Sequence, residues 1–317
     1  MKILLALAVF LAVAMKSPVS ADPFFAEQAD VLQEDEFLLK EGFFFLKFVD
    51  IWQPVLYEEN PPYFIQGTLS RKKILEFPVE LRAGLTDNLT IGFSTSYIWN
   101  LQALNINGNL NFVDGSYTLS SCGFAHLGFV GKYGIIKEED GIPGFSIFVR
   151  ARFPLGDEDL FGEDKNFKLK LPLGLRGITL GIYELVSKKL NFWTVHFNFG
   201  YEYCAPYSQK SDSLGKDLVQ VRTIDPGDRM LYNFACIRDW EKFSLVIELN
   251  GVLTRDLRIN DISIKDSGMH TLDGILGVQC HPVHNFFINI GVRGTILSSV
   301  GDRENNLGLI INSGQRF

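Results

Sequence analysis

Five histidines are the residues best placed to move protons near neutral pH: His126, His196, His270, His281 and His284. Nucleophilic hydrolysis needs a base within hydrogen-bond reach of a Ser or Cys, and along one extended strand that spacing is His-x-Ser. None of the five has Ser two residues on. His281 and His284 share a predicted turn, but two turn histidines alone do not make a metal centre. Cys122, Cys204, Cys236 and Cys280 show no C-x-x-C spacing for zinc or thiol redox chemistry. Four isolated small hydrophobes is the favoured reading, with a Cys122–Cys204 pair left open. No catalytic residue, metal or cofactor is expected, and the chain is read as not an enzyme.

What remains is ionic: Glu80, Arg82, Lys132, Arg150, Arg152, Arg176, His196, Glu202, Glu248 and Arg293 each lie on the polar side of an alternating segment. Phe77, Val79, Leu81 and Ala83 alternate with Glu76, Pro78, Glu80 and Arg82; Leu89, Ile91 and Phe93 alternate with Thr90, Gly92 and Ser94. Period two with one apolar face is a half-buried strand.

Such strands recur as hairpins. Residues 73–84 and 89–99 join through LTDN, 123–136 and 144–153 through KEEDGIP, and 167–185 and 191–203 through VSKK. Residues 229–238 and 243–253 join through DWEK, and 270–279 and 286–296 through CHPVHN. Adding an ascending strand at 41–51 and a final one at 306–317 gives about 12, with residues 52–72 able to hide another. Short turns alternate with long polar connections, the arrangement of bacterial outer-membrane barrels with turns toward the periplasm. The expectation is an all-β, antiparallel up-and-down transmembrane barrel over residues 41–317, with both termini periplasmic.

The ends agree. Lys2, an apolar run over Ile3–Met15 and Val19-Ser20-Ala21 read as a signal peptide over residues 1–21. Residues 22–40 are then a periplasmic N-terminal segment, polar enough to lie in the periplasm or to fold into the barrel mouth. The chain stops on Phe317, with Leu307, Leu309 and Ile311 on the same strand face, an aromatic C-terminal assembly signal for the barrel-assembly machinery. Beyond the leader no apolar stretch approaches the roughly 18 residues of a helical span. Aromatics at 13% with 27 Phe suit a wall in contact with lipid. A net charge of −7, which becomes −9 without Lys2 and Lys16, excludes a nucleic-acid partner. A soluble sandwich or lipocalin-like barrel fits poorly, because Phe148, Phe192 and Val130 would share its solvent face with the charges.

If the apolar face meets outer-membrane lipid, the ten charged or polar residues above line the lumen. Twelve strands about 4.8 Å apart and tilted about 40° close at a radius of roughly 12 Å. Inward side chains then leave a passage a few ångströms wide, or a closed ionic plug.

Four stretches carry a resemblance. FPVELRAGLTDNLTIGFSTSY (77–97) resembles the P-x-E-L-R-x-G-L-T-D-x-L-x-x-G hairpin of the outer-membrane barrels known as the "MetA-pathway of phenol degradation" or transporter family. GKYGIIKEEDGIPGFSIFVRARFPLGD (131–157) is similar to that family's strand–turn–strand ending in P-x-G-D. WTVHFNFGYEY (193–203) and SLVIELNGV (244–252) resemble its later strands. Phe124-Ala125-His126 departs from the Gly-Asp usual there. The resemblance implies a Gram-negative outer-membrane location and a porin-like channel or transporter for small, hydrophobic or aromatic solutes. The alternative is a non-conducting structural or surface-binding barrel.

Overall fold

The computed structural model describes residues 28–51, 66–107, 115–139, 141–155, 162–163, 168–169, 177–212, 219–240, 242–264, 267–283, 286–299 and 305–317. In chain order its strands are β1 (Phe37–Ile51), β2 (Gln66–Thr86), β3 (Leu89–Asn107), β4 (Gly115–Ile136) and β5 (Gly144–Pro154). There follow β6 (Gly162–Glu163), β7 (Lys168–Leu169), β8 (Thr179–Leu190), β9 (Trp193–Cys204), β10 (Tyr207–Asp212) and β11 (Val219–Asp225). The last are β12 (Arg229–Asp239), β13 (Phe243–Thr254), β14 (Arg258–Ile259), β15 (Ile262–Ser263), β16 (Met269–Val283), β17 (Phe286–Ser298) and β18 (Asn305–Arg316).

Twelve of these close into one ring in the order β1-β2-β3-β4-β5-β8-β9-β12-β13-β16-β17-β18, each pairing antiparallel with its neighbours. Closure leaves the ring without an open edge, which is what a sheet in lipid requires. The seam joins β1 to β18. Phe37 N–H donates to the Phe317 carbonyl at 3.2 Å, and Phe317 N–H returns to the Phe37 carbonyl at 2.9 Å. β10, β11, β14 and β15 form a separate small sheet beyond the long-loop end.

The expected count of 12 holds, while boundaries shift for identifiable reasons. β1 starts at Phe37, ahead of the expected 41. The expected VSKK turn is instead strand, and the chain reverses after Leu190, where Asn191 sits at φ 53°. A tight reversal needs a residue that tolerates the left-handed region, which Asn does and Lys does not. Similarly β16 runs on to Val283 through the expected CHPVHN turn. β2, β3 and β4 span 21, 19 and 22 residues, absorbing parts of the expected loops 52–72 and 100–121. A tilted strand needs only about 9–11 residues to cross lipid, so β2, β3 and β4 are each about twice that length. Gln66–Leu69 continue β2 and form no extra strand; residues 52–65 lie outside those described.

Burial alternates residue by residue, as in β9 and β13. Outward lie Phe93, Phe197, Ile247, Ile290 and Val292, each between 41% and 52% exposed. A continuous apolar exterior far exceeds the few hundred Å² that soluble monomers usually expose.

One irregularity redirects a face. Ser96 faces His126 but Tyr97 faces Phe124, so Ala125 is a bulge residue in β4. It falls at the Phe124-Ala125-His126 stretch.

Candidate functional site: the barrel interior

The interior is built in layers from inward side chains of alternate positions. On β5, β8 and β9, Glu202 is 1% exposed. Its Oε1 accepts from Arg152 Nη2 and from the Tyr183 hydroxyl, and its Oε2 lies 3.9 Å from Arg229 Nη1. Tyr183 can lie flat beside Glu202 because Gly200 has no side chain: a Cβ there would come 2.1 Å from Tyr183 Cδ1. Arg150 spreads over the rings of Phe148 and Tyr183, at 5.2 and 5.4 Å from their centroids. Arg82 pairs with Glu80 and reaches the Phe148 ring as well, at 5.5 Å. Across the ring, Arg293 Nε donates to Asp273 Oδ2 at 3.0 Å, and Thr295 donates to Asp273 Oδ1 at 2.7 Å.

The interior is more apolar than the alternation suggested. Ile237, Val246, Ile275 and Ile310 are at most 4% exposed and form one cluster, with Ile74 packed against it. Ile74 on β2 and Ile237 on β12 belong to strands on opposite sides of the ring, so this cluster crosses the lumen. Glu248, Gln279 and Asn289 are 0% exposed within the same half.

At the short-turn end the mouth is filled by the chain's own N-terminal segment, residues 28–36. Ala29 N–H donates to Ser187 Oγ at 2.7 Å, and Ser146 Oγ donates to the Ala29 carbonyl at 2.7 Å. Leu32 N–H donates to Thr90 Oγ1 at 2.9 Å, while Lys132 Nζ donates to the Gln28 carbonyl at 3.2 Å. Ala29 joins Val130, Phe148, Tyr183 and Leu185 in one buried cluster; Leu32 joins Leu38 and Phe287 in another. Gly84 lets the segment pass, since a Cβ there would fall 1.8 Å from the Gln33 carbonyl oxygen. Wall hydroxyls thus satisfy backbone groups of a segment that has no strand pairing there.

Of the ten residues expected to line the interior, Arg82, Lys132, His196, Glu202 and Glu248 are buried inward. Glu80, Arg150, Arg152 and Arg293 join the ionic and aromatic contacts above. Arg176 lies outside the described residues. Phe317 sits at the seam, 37% exposed. Cys122 and Cys204 are both free, one exposed on β4 and the other buried on β9 with two strands between them.

The search for His-x-Ser missed cross-strand pairs. Ser187 Oγ lies 2.7 Å from His196 Nδ1, and Ser96 Oγ lies 3.4 Å from His126 Nδ1. Ser187 is 1% exposed and already accepts from Ala29, so it serves to hold the segment. Thr90, Ser187 and Gly84 were also missed as residues of the closure. Thr90 stood on the polar side of its strand, but nothing in the local pattern announced a partner 58 residues away.

No family model matches the chain, and no curated protein sequence does. Solved structures do. An outer-membrane channel from Pseudomonas putida F1 superposes with TM-score 0.60 at 12% identity, over 94% of this chain and 100% of that one. The transport unit of the autotransporter AIDA-I from Escherichia coli superposes with TM-score 0.50 at 10% identity, covering 94% and 95%. The fold is that of an outer-membrane β-barrel. In an outer-membrane barrel the exterior belt meets lipid and the ionic layers face the lumen, which is how the burial here is sorted.

Proposed function

We propose that the chain is an outer-membrane channel for small, apolar or aromatic, uncharged solutes, closed at rest by its own N-terminal segment. One observation carries the reading: the mouth is filled by residues 28–36, a piece separate from the wall and held to it through a few hydroxyls and one amine. A wall that closed on itself would need no such stopper. The Ile74–Ile237–Val246–Ile275–Ile310 cluster spans the lumen as an apolar constriction that a solute must part. Hydrophobic constrictions dewet and oppose ions more than uncharged solutes. The similarity to a channel from Pseudomonas putida F1 and the resemblance of residues 77–252 to the phenol-degradation barrels support the same reading.

In this account residues 1–21 direct export, the short turns and both termini face the periplasm, and Phe317 presents the last strand to the barrel-assembly machinery. Lipid and the solute are the partners; no catalysis is assigned.

The test compares the mature chain with a form lacking residues 22–36. Cells carrying the shortened form take up a labelled small aromatic alcohol faster than cells carrying the mature form, while ion conductance in planar bilayers rises less. Equal uptake by both forms and by cells without the barrel contradicts the channel. That result leaves the second reading, a non-conducting barrel, favoured by the complete burial of Glu248, Gln279 and Asn289.

A further inference from the structure

On the outer face at the short-turn end, Arg238 lies against two indoles. Its Cζ is 5.5 Å from the Trp193 ring centroid and 5.0 Å from that of Trp240. Trp193 is the β9 residue directly opposite Arg238 in register. Trp240 is fixed from the other side: it stacks on Phe243 at 4.7 Å and 22°, and its backbone N–H donates to the Phe243 carbonyl at 2.9 Å. The guanidinium therefore rests against two rings while the side chain stays exposed.

Its donors are a different matter. A guanidinium carries five N–H groups around its edge, and ring contacts to its faces use none of them. Among the described residues no carboxylate or carbonyl accepts from Arg238. The neighbouring acid, Asp239, takes the Ser244 hydroxyl at 2.6 Å instead. Arg238 is exposed, and so is Trp240, at 41%.

Position supplies the rest. The outward residues of β12 run Met230, Tyr232, Phe234, Cys236 and then Arg238, one residue before the strand ends. The charge thus stands at the lower rim of the apolar belt. An outward arginine costs about 2–4 kcal/mol at mid-bilayer but about 0–1 at the interface, where tryptophans also gather. Lipid phosphates lie at that depth.

We propose that Trp193, Arg238 and Trp240 form a binding site for the phosphate of a glycerophospholipid in the leaflet on the short-turn side. The guanidinium edge takes two phosphate oxygens side by side, and the indoles lie along the start of the acyl chains. The inference rests on the reading that the barrel spans a bilayer, and the experiment separates the two.

Full-length mature protein is purified in detergent with short-chain phosphatidylethanolamine, and retained lipid is read by native mass spectrometry. The wild type retains the phospholipid and not the matching diacylglycerol. Arg238→Gln lowers retention about fivefold. Arg238→Lys recovers only part of it, because an ammonium cannot present a planar fork. Added inorganic phosphate at matched concentration leaves the lipid in place; full displacement would make this a simple anion site and overturn the lipid assignment. Insertion into vesicles is measured in parallel by heat-modifiable migration. Equal retention by wild type and Arg238→Gln, with both inserting normally, overturns the site and leaves the membrane reading standing. Failure of the wild type to insert overturns both.

Discussion

Ser146 on β5 donates its hydroxyl to the carbonyl of Ala29 at 2.7 Å, across 117 residues of sequence. One strand over, Ser187 accepts from the N–H of the same alanine. Two wall hydroxyls on adjacent strands thus grip both polar groups of one residue in the N-terminal segment. An edge strand would make the same pair of bonds.

Removing that grip should loosen the segment while sparing the barrel. A Ser146→Ala, Ser187→Ala double variant loses about 1 kcal/mol per hydrogen bond from the docked state. Both serines face the lumen, so the apolar belt is untouched. Protease access to residues 28–36 should rise in the folded, heat-modifiable protein. Unchanged access would mean that apolar contacts of Ala29 and Leu32 alone hold the segment.

Gly84 tests the same docking by sterics. Its N–H donates to the Glu36 carbonyl at 2.9 Å, and its carbonyl accepts from Asp35 N–H at 3.2 Å. A Cβ at this position would fall within 1.8 Å of the Gln33 carbonyl oxygen, a backbone atom that cannot rotate aside. Gly84→Ala should therefore raise hydrogen exchange in residues 31–36 more than in β2 itself. The opposite ranking would place the strain in the wall.

Glu202 is the hub of the ionic layer, receiving Arg152 and Tyr183 and lying near Arg229. Glu202→Ala leaves two guanidinium groups facing each other without their shared partner. Breaking a buried pair costs about 3–5 kcal/mol, and partial access of the arginines lowers that toward about 2. The temperature at which the barrel loses its folded migration should fall clearly. Glu202→Gln, which keeps an acceptor, should lie between alanine and wild type.

The exterior makes a contrasting demand. Phe197 on β9 is 48% exposed and flanked in sequence by His196 and Asn198, both buried inward. Phe197→Arg should cost about 2–4 kcal/mol if the residue sits at mid-depth in lipid. Folding yield into vesicles reads the effect. A soluble protein would tolerate the change or gain solubility from it.

The strand count and the two faces were legible because period-two alternation is enforced wherever one side of a sheet meets lipid. The place of the turn at Asn191 was not. The run Val186-Ser187-Lys188-Lys189 is polar enough to suggest a turn, yet Lys188 Nζ binds the Glu139 carbonyl at 2.7 Å from within β8. A long side chain that finds an acceptor on the next turn costs the strand nothing. The bulge at Ala125 was hidden for another reason: one additional residue leaves composition unchanged while shifting register. Least legible were the contacts that make the closure. Residues 28–36 belong to a polar segment able to fold into the mouth, but their partners Thr90, Lys132, Ser146 and Ser187 are scattered over four strands. Likewise Phe148, Leu185, Ile237 and Phe287 face inward because the interior is filled rather than wet, which alternation alone does not encode.

A reversible lock on the segment tests the central claim most directly. In Gly134 a Cβ would sit 3.4 Å from both methyls of Val31, close enough for a disulfide between cysteines placed at the two positions. Val31→Cys, Gly134→Cys in a background without the four native cysteines should admit no aromatic solute when oxidised, and should regain wild-type uptake on reduction. Identical uptake in the two states, with the crosslink verified by mass, would contradict an N-terminal segment that opens and closes the barrel.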